Sequence, residues 1–390
     1  MKRILYLTFY FEPDLSAGSF RNTPLVKELA NQVDGKAEID VYTTFPNRYS
    51  TFQVEAQSEE QIGNLSIYRV QIPNHRNGMR DQIFSFIKYY STVRKVIKNK
   101  KYDLVIASSS RLFTAYLAYR IAGEKRLPLY LDIRDIFIDT MADVLKNPLI
   151  KFGTLPVLRL IEKKVFTYAS HINLISGGFF DYFKKFKGPH FTTFPNGIDD
   201  LFLGLPRSVS KGNQEFKVIT YAGNIGEGQG LHKIIPQAAK ELGENFHFKV
   251  IGDGGVKQKL IDSINEYGVT NVELSGPVNR KELLEIYNQS DFLFIHLNDY
   301  EAFKKVLPSK VFELGAYDKP IIAGVAGFAN KFIEENISNR ILFLPGDVKD
   351  MVRQLKSYDY RNEYRAKFVS EYRRSNINSK LAESMLSYLK

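Results

Sequence analysis

A chain of 390 residues is too long for one ordinary hydrophobic core, so two domains are the starting expectation. Its 44% hydrophobic and 25% charged residues suit a soluble globular protein, and the absence of cysteine excludes disulfides, thiolate metal sites and a cysteine nucleophile while fitting a reducing compartment. The formal net charge of +11 is concentrated in residues 71–200, which hold 21 Lys and Arg against 11 Asp and Glu; such a surface suits phosphorylated substrates, anionic lipid or nucleic acid, as well as plain solubility.

The opening MKRILYLTFYFEPD turns acidic too soon for a signal peptide and reads as a first strand, at 4–8. Helix 20–32, strands 39–43 and 66–70, helix 82–98, strand 104–108, helix 112–122, strand 129–132, a long helix around 149–168 and strand 171–175 complete the first half. Two of these helices, FSFIKYYSTVRKVIKNKK and FGTLPVLRLIEKKVF, interleave aromatics with Lys and Arg. Such stripes are mostly core packing, with a membrane-surface face as the minority option. No apolar run approaches the roughly 20 residues of a membrane span.

Periodicity then fades in FPNGIDDLFLGLPRSVSKGNQEF, rich in Pro, Gly, Ser and Asn, which places a hinge at 198–215. Beyond it come strand 217–221, helix 231–242, strand 247–251, helix 256–267, strand 272–274, helix 280–288, strand 292–296, helix 309–316, strand 320–323, helix 329–336 and strand 341–344. Continuous apolar strands alternating with amphipathic helices predict parallel sheets covered on both faces. The expected fold is therefore α/β, with two doubly wound Rossmann-like domains, 1–200 and 201–360, facing across a cleft. A charged terminal helix, about 361–390, is expected to pack back on the first domain.

Ligands of such sheets bind beyond the carboxyl ends of the strands, which singles out the loops there. After the first strand, Gly18 stands before a helix, where backbone N–H groups approach an anion; taken alone, the loop reads first as an ordinary turn. In AGNIGEGQGL, Gly223, Asn224, Gly226, Gly228 and Gly230 open a helix in a register unlike GxGxxG. Gly252 and Asp253 follow the next strand, with Asp253 readable as a helix cap or as a ligand contact. In VLPSKVFELG, Pro308 and Ser309 start a helix with Ser309 as its N-cap, and Glu313 sits one turn in, where a carboxylate gains from the helix dipole. Functionally, Glu313 would accept hydrogen bonds from both ribose hydroxyls and Lys310 would reach a diphosphate. Past strand 129–132, Arg134 and Asp135 read either as a salt-bridged loop or as holders of a phosphate and an acceptor hydroxyl. His171, inside a strand, reads as core.

These segments together, from FYFEPDLSAGSFRNTPLVKELA through FPNGIDDLF, YAGNIGEGQGL, VIGDGG and LSGPVNRKELLEIYNQSDFLFIHL to PSKVFELGAYDKPIIAG, resemble a glycosyltransferase of family 4 with the GT-B fold over nearly the whole chain. The nearest subgroup is bacterial transferases of the N-acetyl-fucosamine type, which build capsule or O-antigen units. The resemblance implies Glu313 as ribose ligand, Gly18 against the donor diphosphate and Val278 as backbone contact to the base. It also implies retention of anomeric configuration and no metal or other cofactor, the UDP-sugar being a co-substrate. The chain departs from the family pattern at Lys305, where a first glutamate would stand, and at Asn224 and Gln229, where an arginine and a lysine are usual.

The expected partners are therefore a nucleotide sugar, a lipid-linked or other saccharide acceptor and an anionic membrane surface, with no nucleic acid. The expected place is the cytoplasm, peripheral to the inner face of the cell membrane. Two other readings remain: a UDP-N-acetylglucosamine 2-epimerase on the same fold, short of acid and base residues here, and a non-catalytic basic nucleic-acid-binding protein, for which no helix-turn-helix, RRM or zinc signature is present.

Overall fold

The computed structural model describes residues 1–14, 16–47, 55–73, 79–109, 111–145, 147–204 and 215–389. They divide into two α/β units, Met1–Asn196 with Ser375–Lys390, and Gly197–Arg374. Most of the hinge expected at 198–215 lies outside the described residues. Residues 361–374, read from sequence as part of a returning terminal helix, count with the second unit; helix Arg374–Leu386 makes the return.

The first unit holds an eight-stranded sheet: β1 (Lys2–Leu7), β2 (Ala37–Thr44), β3 (Glu59–Ile62), β4 (Leu65–Val70), β5 (Leu104–Ser109), β6 (Leu129–Ile133), β7 (His171–Leu174) and β8 (His190–Thr193). Their order is β3-β4-β2-β1-β5-β6-β7-β8. Every neighbouring pair is parallel except the β3–β4 hairpin. Central strands such as β1 are buried along Ile4, Leu5, Tyr6 and Leu7, as a sheet covered on both faces requires. Ile4 and Tyr6 pack with Leu25 and Leu29 of helix Ala17–Gln32 and with Leu381 and Met385 of Arg374–Leu386. Ile377, Leu381 and Met385 recur every fourth residue, giving that helix one buried stripe. Each such side chain adds about 1.5–3 kcal/mol on burial, enough to fasten the chain's end to the unit where it began.

The second unit holds β9 (Lys217–Ala222), β10 (Phe246–Ile251), β11 (Val272–Ser275), β12 (Phe292–His296), β13 (Ile321–Gly324) and β14 (Arg340–Phe343). All are parallel, in the order β11-β10-β9-β12-β13-β14. No described helix in either unit is long and apolar enough to cross a membrane.

Candidate active site

In the second sheet β9 lies between β10 and β12, so strand order reverses there. A crevice opens beyond the carboxyl ends of strands at such a point. The loops after β9, β10 and β12 border it and are tied to one another by backbone hydrogen bonds. Gly223 N–H donates to the Ile251 carbonyl (2.9 Å), Ile225 N–H to Asp253 (2.8 Å) and Asn298 N–H to Gly228 (2.8 Å). Glycine is required where these chains touch. A Cβ on Gly252, whose φ is +145°, would lie 1.9 Å from the Gly223 carbonyl oxygen.

His296, at the end of β12, fixes the same fabric from below. Its Nδ1 lies 2.6 Å from the Gln229 carbonyl and its Nε2 lies 3.2 Å from the Gly346 N–H. A carbonyl only accepts and an amide N–H only donates, so the ring carries its proton on Nδ1. Burial holds this imidazole neutral, with its pKa brought down to about 4. Asn224 and Gln229 stand where the family resemblance would place two cations. Asn224 Nδ2 donates to Gln229 Oε1 (3.0 Å), and that oxygen also takes the Gly226 N–H (3.2 Å). The pair closes the glycine loop on itself.

Glu313 lies in the short helix Lys310–Gly315, which follows the loop after β12. Its side chain is 19% exposed. Oε1 accepts from the Tyr287 hydroxyl (2.8 Å) and from Lys310 Nζ (2.8 Å). Tyr287 is fully buried, and burial with the adjacent carboxylate pushes its pKa far up, so the phenol keeps its proton and donates. Burial and the same carboxylate raise Tyr221 and Tyr317. The carboxylate is thus held by one oxygen and free to offer Oε2 to a pair of hydroxyl donors. Ser309 does not act as the expected cap: its own backbone is already helical and its side chain accepts no cap hydrogen bond. Phe312 N–H instead reaches the Ser309 carbonyl (3.1 Å) and Val311 N–H that of Pro308 (3.1 Å). Lys310 turns toward Glu313 and also donates to the Tyr287 hydroxyl (3.4 Å), so its charge is partly spent there. Asp253 caps no helix: the N-cap of Lys257–Tyr267 is Val256, and Asp253 Oδ1 accepts from Gly254 N–H (2.9 Å). Val278 is partly buried, beside Asn279, which caps helix Arg280–Gln289.

In the first unit β1 has the same reversal, lying between β2 and β5. The helix after β1 begins at Ala17, capped by Ser16, whose Oγ accepts the Ser19 N–H (3.2 Å). Gly18 therefore sits in the first helical turn rather than before the helix. A Cβ there would meet Arg134 Nη1 at 2.8 Å and Tyr10 Cβ at 3.0 Å. Arg134 Nε is buried with no hydrogen-bond partner among the described residues, and burial lowers the pKa of the guanidinium. Asp132 and Asp135 act on this cation through space but leave its Nε unbonded, and a cation beside a helix N-terminus favours an anion. Neighbouring Asp135 is half-buried and its pKa raised, with Thr140 Oγ1 at 3.3 Å. No ion pair among the described residues joins Arg134 to Asp135, as the salt-bridged loop would require, although the carboxylate acts on the guanidinium through space. Arg111 lies nearby in the chain's fold, donating to the Tyr10 hydroxyl (3.0 Å), its guanidinium carbon 5.1 Å from the Phe9 ring centre.

Several supporting residues were not picked out from sequence. Asp132 is fully buried and receives Arg21 through both oxygens (2.8 Å each), with Ser108 (3.0 Å) and Asn173 (2.7 Å) completing its shell. Burial alone raises its pKa, but Arg21 outweighs that and the carboxylate stays ionised below its usual range. His171 is buried and stacked on Tyr130, with ring centres 4.4 Å apart. The sequence signal for His296 was visible in FLFIH, a lone histidine closing an apolar strand at its carboxyl end; Tyr287, on a different helix from Glu313, left none.

Residues 207–375 match the family model described as glycosyl transferases group 1, so the chain carries a glycosyltransferase group 1 domain. A protein of Escherichia coli K12 named for colanic acid biosynthesis, the glycosyl transferase WcaI, is 32% identical over 95 residues, which are 24% of this chain and 23% of that protein. The chain thus matches about a quarter of the length of that relative. Among solved structures, sucrose-phosphate synthase from Thermosynechococcus elongatus superposes with a TM-score of 0.76 at 12% identity, covering 99% of each chain. Anabaena HepE in complex with UDP and glucose gives 0.67 at 17% identity over 99% of this chain and 100% of that one. The lipopolysaccharide outer core galactosyltransferase WaaB gives 0.64 at 12% identity over 98% and 99%. The fold is that of GT-B glycosyltransferases, with two α/β domains built on parallel sheets.

Proposed function

We propose that the protein is a retaining glycosyltransferase of family 4 that moves a sugar of N-acetylhexosamine type from a UDP-sugar to a hydroxyl of a lipid-linked saccharide, in the synthesis of a bacterial surface polysaccharide such as capsule or O-antigen. The observation that carries this reading is the Glu313 carboxylate, anchored through one oxygen by buried Tyr287 and by Lys310 at the carboxyl edge of a parallel sheet. Vicinal ribose hydroxyls offer two donors, and a carboxylate accepts both. The glycine loops of 223–230 and 252–255 leave room for phosphate oxygens against backbone N–H groups.

In the reaction so proposed, the bond from the anomeric carbon to the diphosphate oxygen breaks through an oxocarbenium-like state. The acceptor hydroxyl oxygen bonds to that carbon on the same face, and its proton passes to the departing diphosphate. The residues contribute by orientation and charge. Arg134, its Nε unbonded among the described residues and its guanidinium beside the N-terminus of helix Ala17–Gln32, would take the developing negative charge. Asp135, its pKa raised by burial, would orient the acceptor hydroxyl. The UDP-sugar is the only small molecule that this scheme uses.

The names of WcaI and WaaB, one a colanic acid and the other a lipopolysaccharide transferase, support a surface-polysaccharide role, and the UDP bound by HepE supports a uridine nucleotide. A panel of nucleotide sugars screened by thermal shift tests the donor, since a ligand of the native state alone raises the melting point. A response confined to UDP-sugars is expected. Turnover of UDP-N-acetylglucosamine without any acceptor would instead make the enzyme an epimerase.

A further inference from the structure

We propose that the helix Pro148–Tyr168, together with the exposed edge of Met79–Ile97, is a docking face for an anionic lipid bilayer. The two helices flank Leu112–Lys125, which touches both. On Pro148–Tyr168 the inward side is apolar as a surface helix requires, through Leu155, Leu158, Val165 and Phe166. The outward side is apolar too. Leu149 is 82% exposed and Phe152 84%, with Ile150, Val157 and Leu160 more than half exposed. Residues 149, 152, 156–157 and 160 recur at helical spacing, so they form one stripe rather than scattered side chains. On Met79–Ile97, Ile83, Phe84 and Ile87 add three more exposed apolar groups.

Charge selects the partner. Lys151, Arg159, Lys163 and Lys164 are all accessible, and Arg159, Lys163 and Lys164 follow the apolar stripe along the outer side. The only acid of the helix, Glu162, is turned inward, where both its oxygens accept from the Tyr182 hydroxyl at 2.9 and 2.7 Å. The outer side therefore shows solvent no carboxylate of its own. A protein partner or a second copy of this chain would be expected to meet an apolar stripe with mixed charge. Along Pro148–Tyr168 the apolar stripe has only basic side chains beside it, and on the flanking helices Glu124 is paired with Arg94 and Arg120 while Asp81 stands at the far start of Met79–Ile97; such a stripe matches the headgroup boundary of an anionic leaflet, where greasy side chains enter and lysines stay at the phosphates. This deepens the proposed reading, in which the acceptor is lipid-linked, by naming the surface that brings the enzyme to it.

Flotation of the full-length protein with phosphatidylcholine vesicles, with and without phosphatidylglycerol, tests the idea without donor or acceptor, so its failure leaves the transferase reading untouched. Binding to the anionic vesicles alone is expected, with loss near 1 M salt, where the Debye length falls to about 3 Å. The double variant Leu149→Ser with Phe152→Ser, and separately Lys163→Glu with Lys164→Glu, should each lower the partition coefficient at least about tenfold, while keeping the wild-type melting point. Lys349→Glu, an exposed position of the second unit, should bind as wild type does. Indifference of the wild type to both vesicles, or equal loss in Lys349→Glu, overturns the proposal. So does sedimentation showing a wild-type dimer that the Leu149/Phe152 variant dissociates.

Discussion

Replacing Glu313 by Gln isolates the carboxylate's charge while preserving its shape. The amide oxygen can still accept from the buried Tyr287 hydroxyl, so the largest structural penalty, a buried unpaired phenol, is avoided. The lost Lys310 pair is partly exposed, with side chains 25% and 19% accessible, so it contributes less than about 1 kcal/mol. The binding cost is larger. Hydrogen bonds to a charged acceptor contribute about 1.5–3 kcal/mol against about 0.5–1.5 for a neutral one, and the amide turns a donor toward one hydroxyl. A loss of roughly 2–3 kcal/mol, or about 30- to 150-fold in Kd for UDP, is expected. Calorimetry with UDP and 2′-deoxy-UDP on both proteins completes a cycle. Wild type should discriminate against the deoxy ligand and Glu313→Gln should not. A Kd for UDP within about twofold of wild type, or discrimination that survives the substitution, refutes the assignment.

Arg134→Met removes a half-buried cation whose buried Nε has no partner among the described residues; the unfolding free energy in urea should hold or rise by about 1 kcal/mol, while the affinity for inorganic pyrophosphate falls about tenfold. A variant that unfolds more easily by over about 1 kcal/mol contradicts the picture of an unfitted charge. Burial raises Glu162 to about 7, above its unfolded value, so the native state binds an extra proton between the two. Wild type should therefore lose stability relative to Glu162→Gln as pH rises from about 4.5 through about 7, and denaturation curves at several pH values should show the gap widening upward. Gly252→Ala places a Cβ onto the Gly223 carbonyl and should cost more than about 2 kcal/mol; an unchanged melting point would mean that the two loops part easily.

The sheets were legible because their central strands are continuous apolar runs bounded by polar turns, a signal that survives without tertiary context. What escaped were edge strands with little burial on either face. β3 reads EEQI and pairs antiparallel at an edge, and β8, HFTT, also closes an edge with half-exposed side chains. Neither carries the apolar run that marks a buried parallel strand. Helix Ala17–Gln32 starts earlier than periodicity suggested because Ser16 caps it, while SAGSF offers no apolar repeat. Glu313, the loop glycines and the Arg134–Asp135 step were locatable because they follow strand ends, and a rule about where ligands bind acts on position. Tyr287 and Arg21 were not, since each meets its carboxylate through folding across 26 and 111 residues.

The two departures at the glycine loop bear on where charge for a leaving diphosphate comes from. Asn224 and Gln229 are neutral, and Asn224 Nδ2 and the Gly226 N–H both donate to Gln229 Oε1, so they stiffen the loop without offering a cation. Lys310 is close, but Glu313 at 2.8 Å compensates it. A stiff neutral loop would position phosphate oxygens against backbone N–H groups through geometry and would stabilise ground state and transition state about equally, which lowers KM without raising kcat. Transition-state charge then has to fall on another cation, and on the proposed reading that is Arg134, whose Nε is unbonded among the described residues and whose pKa burial depresses even though Asp132 and Asp135 act on it through space. On the proposed reading recognition and rate separate by unit: substitutions around Glu313 should act chiefly on KM for the donor, and Arg134 chiefly on kcat.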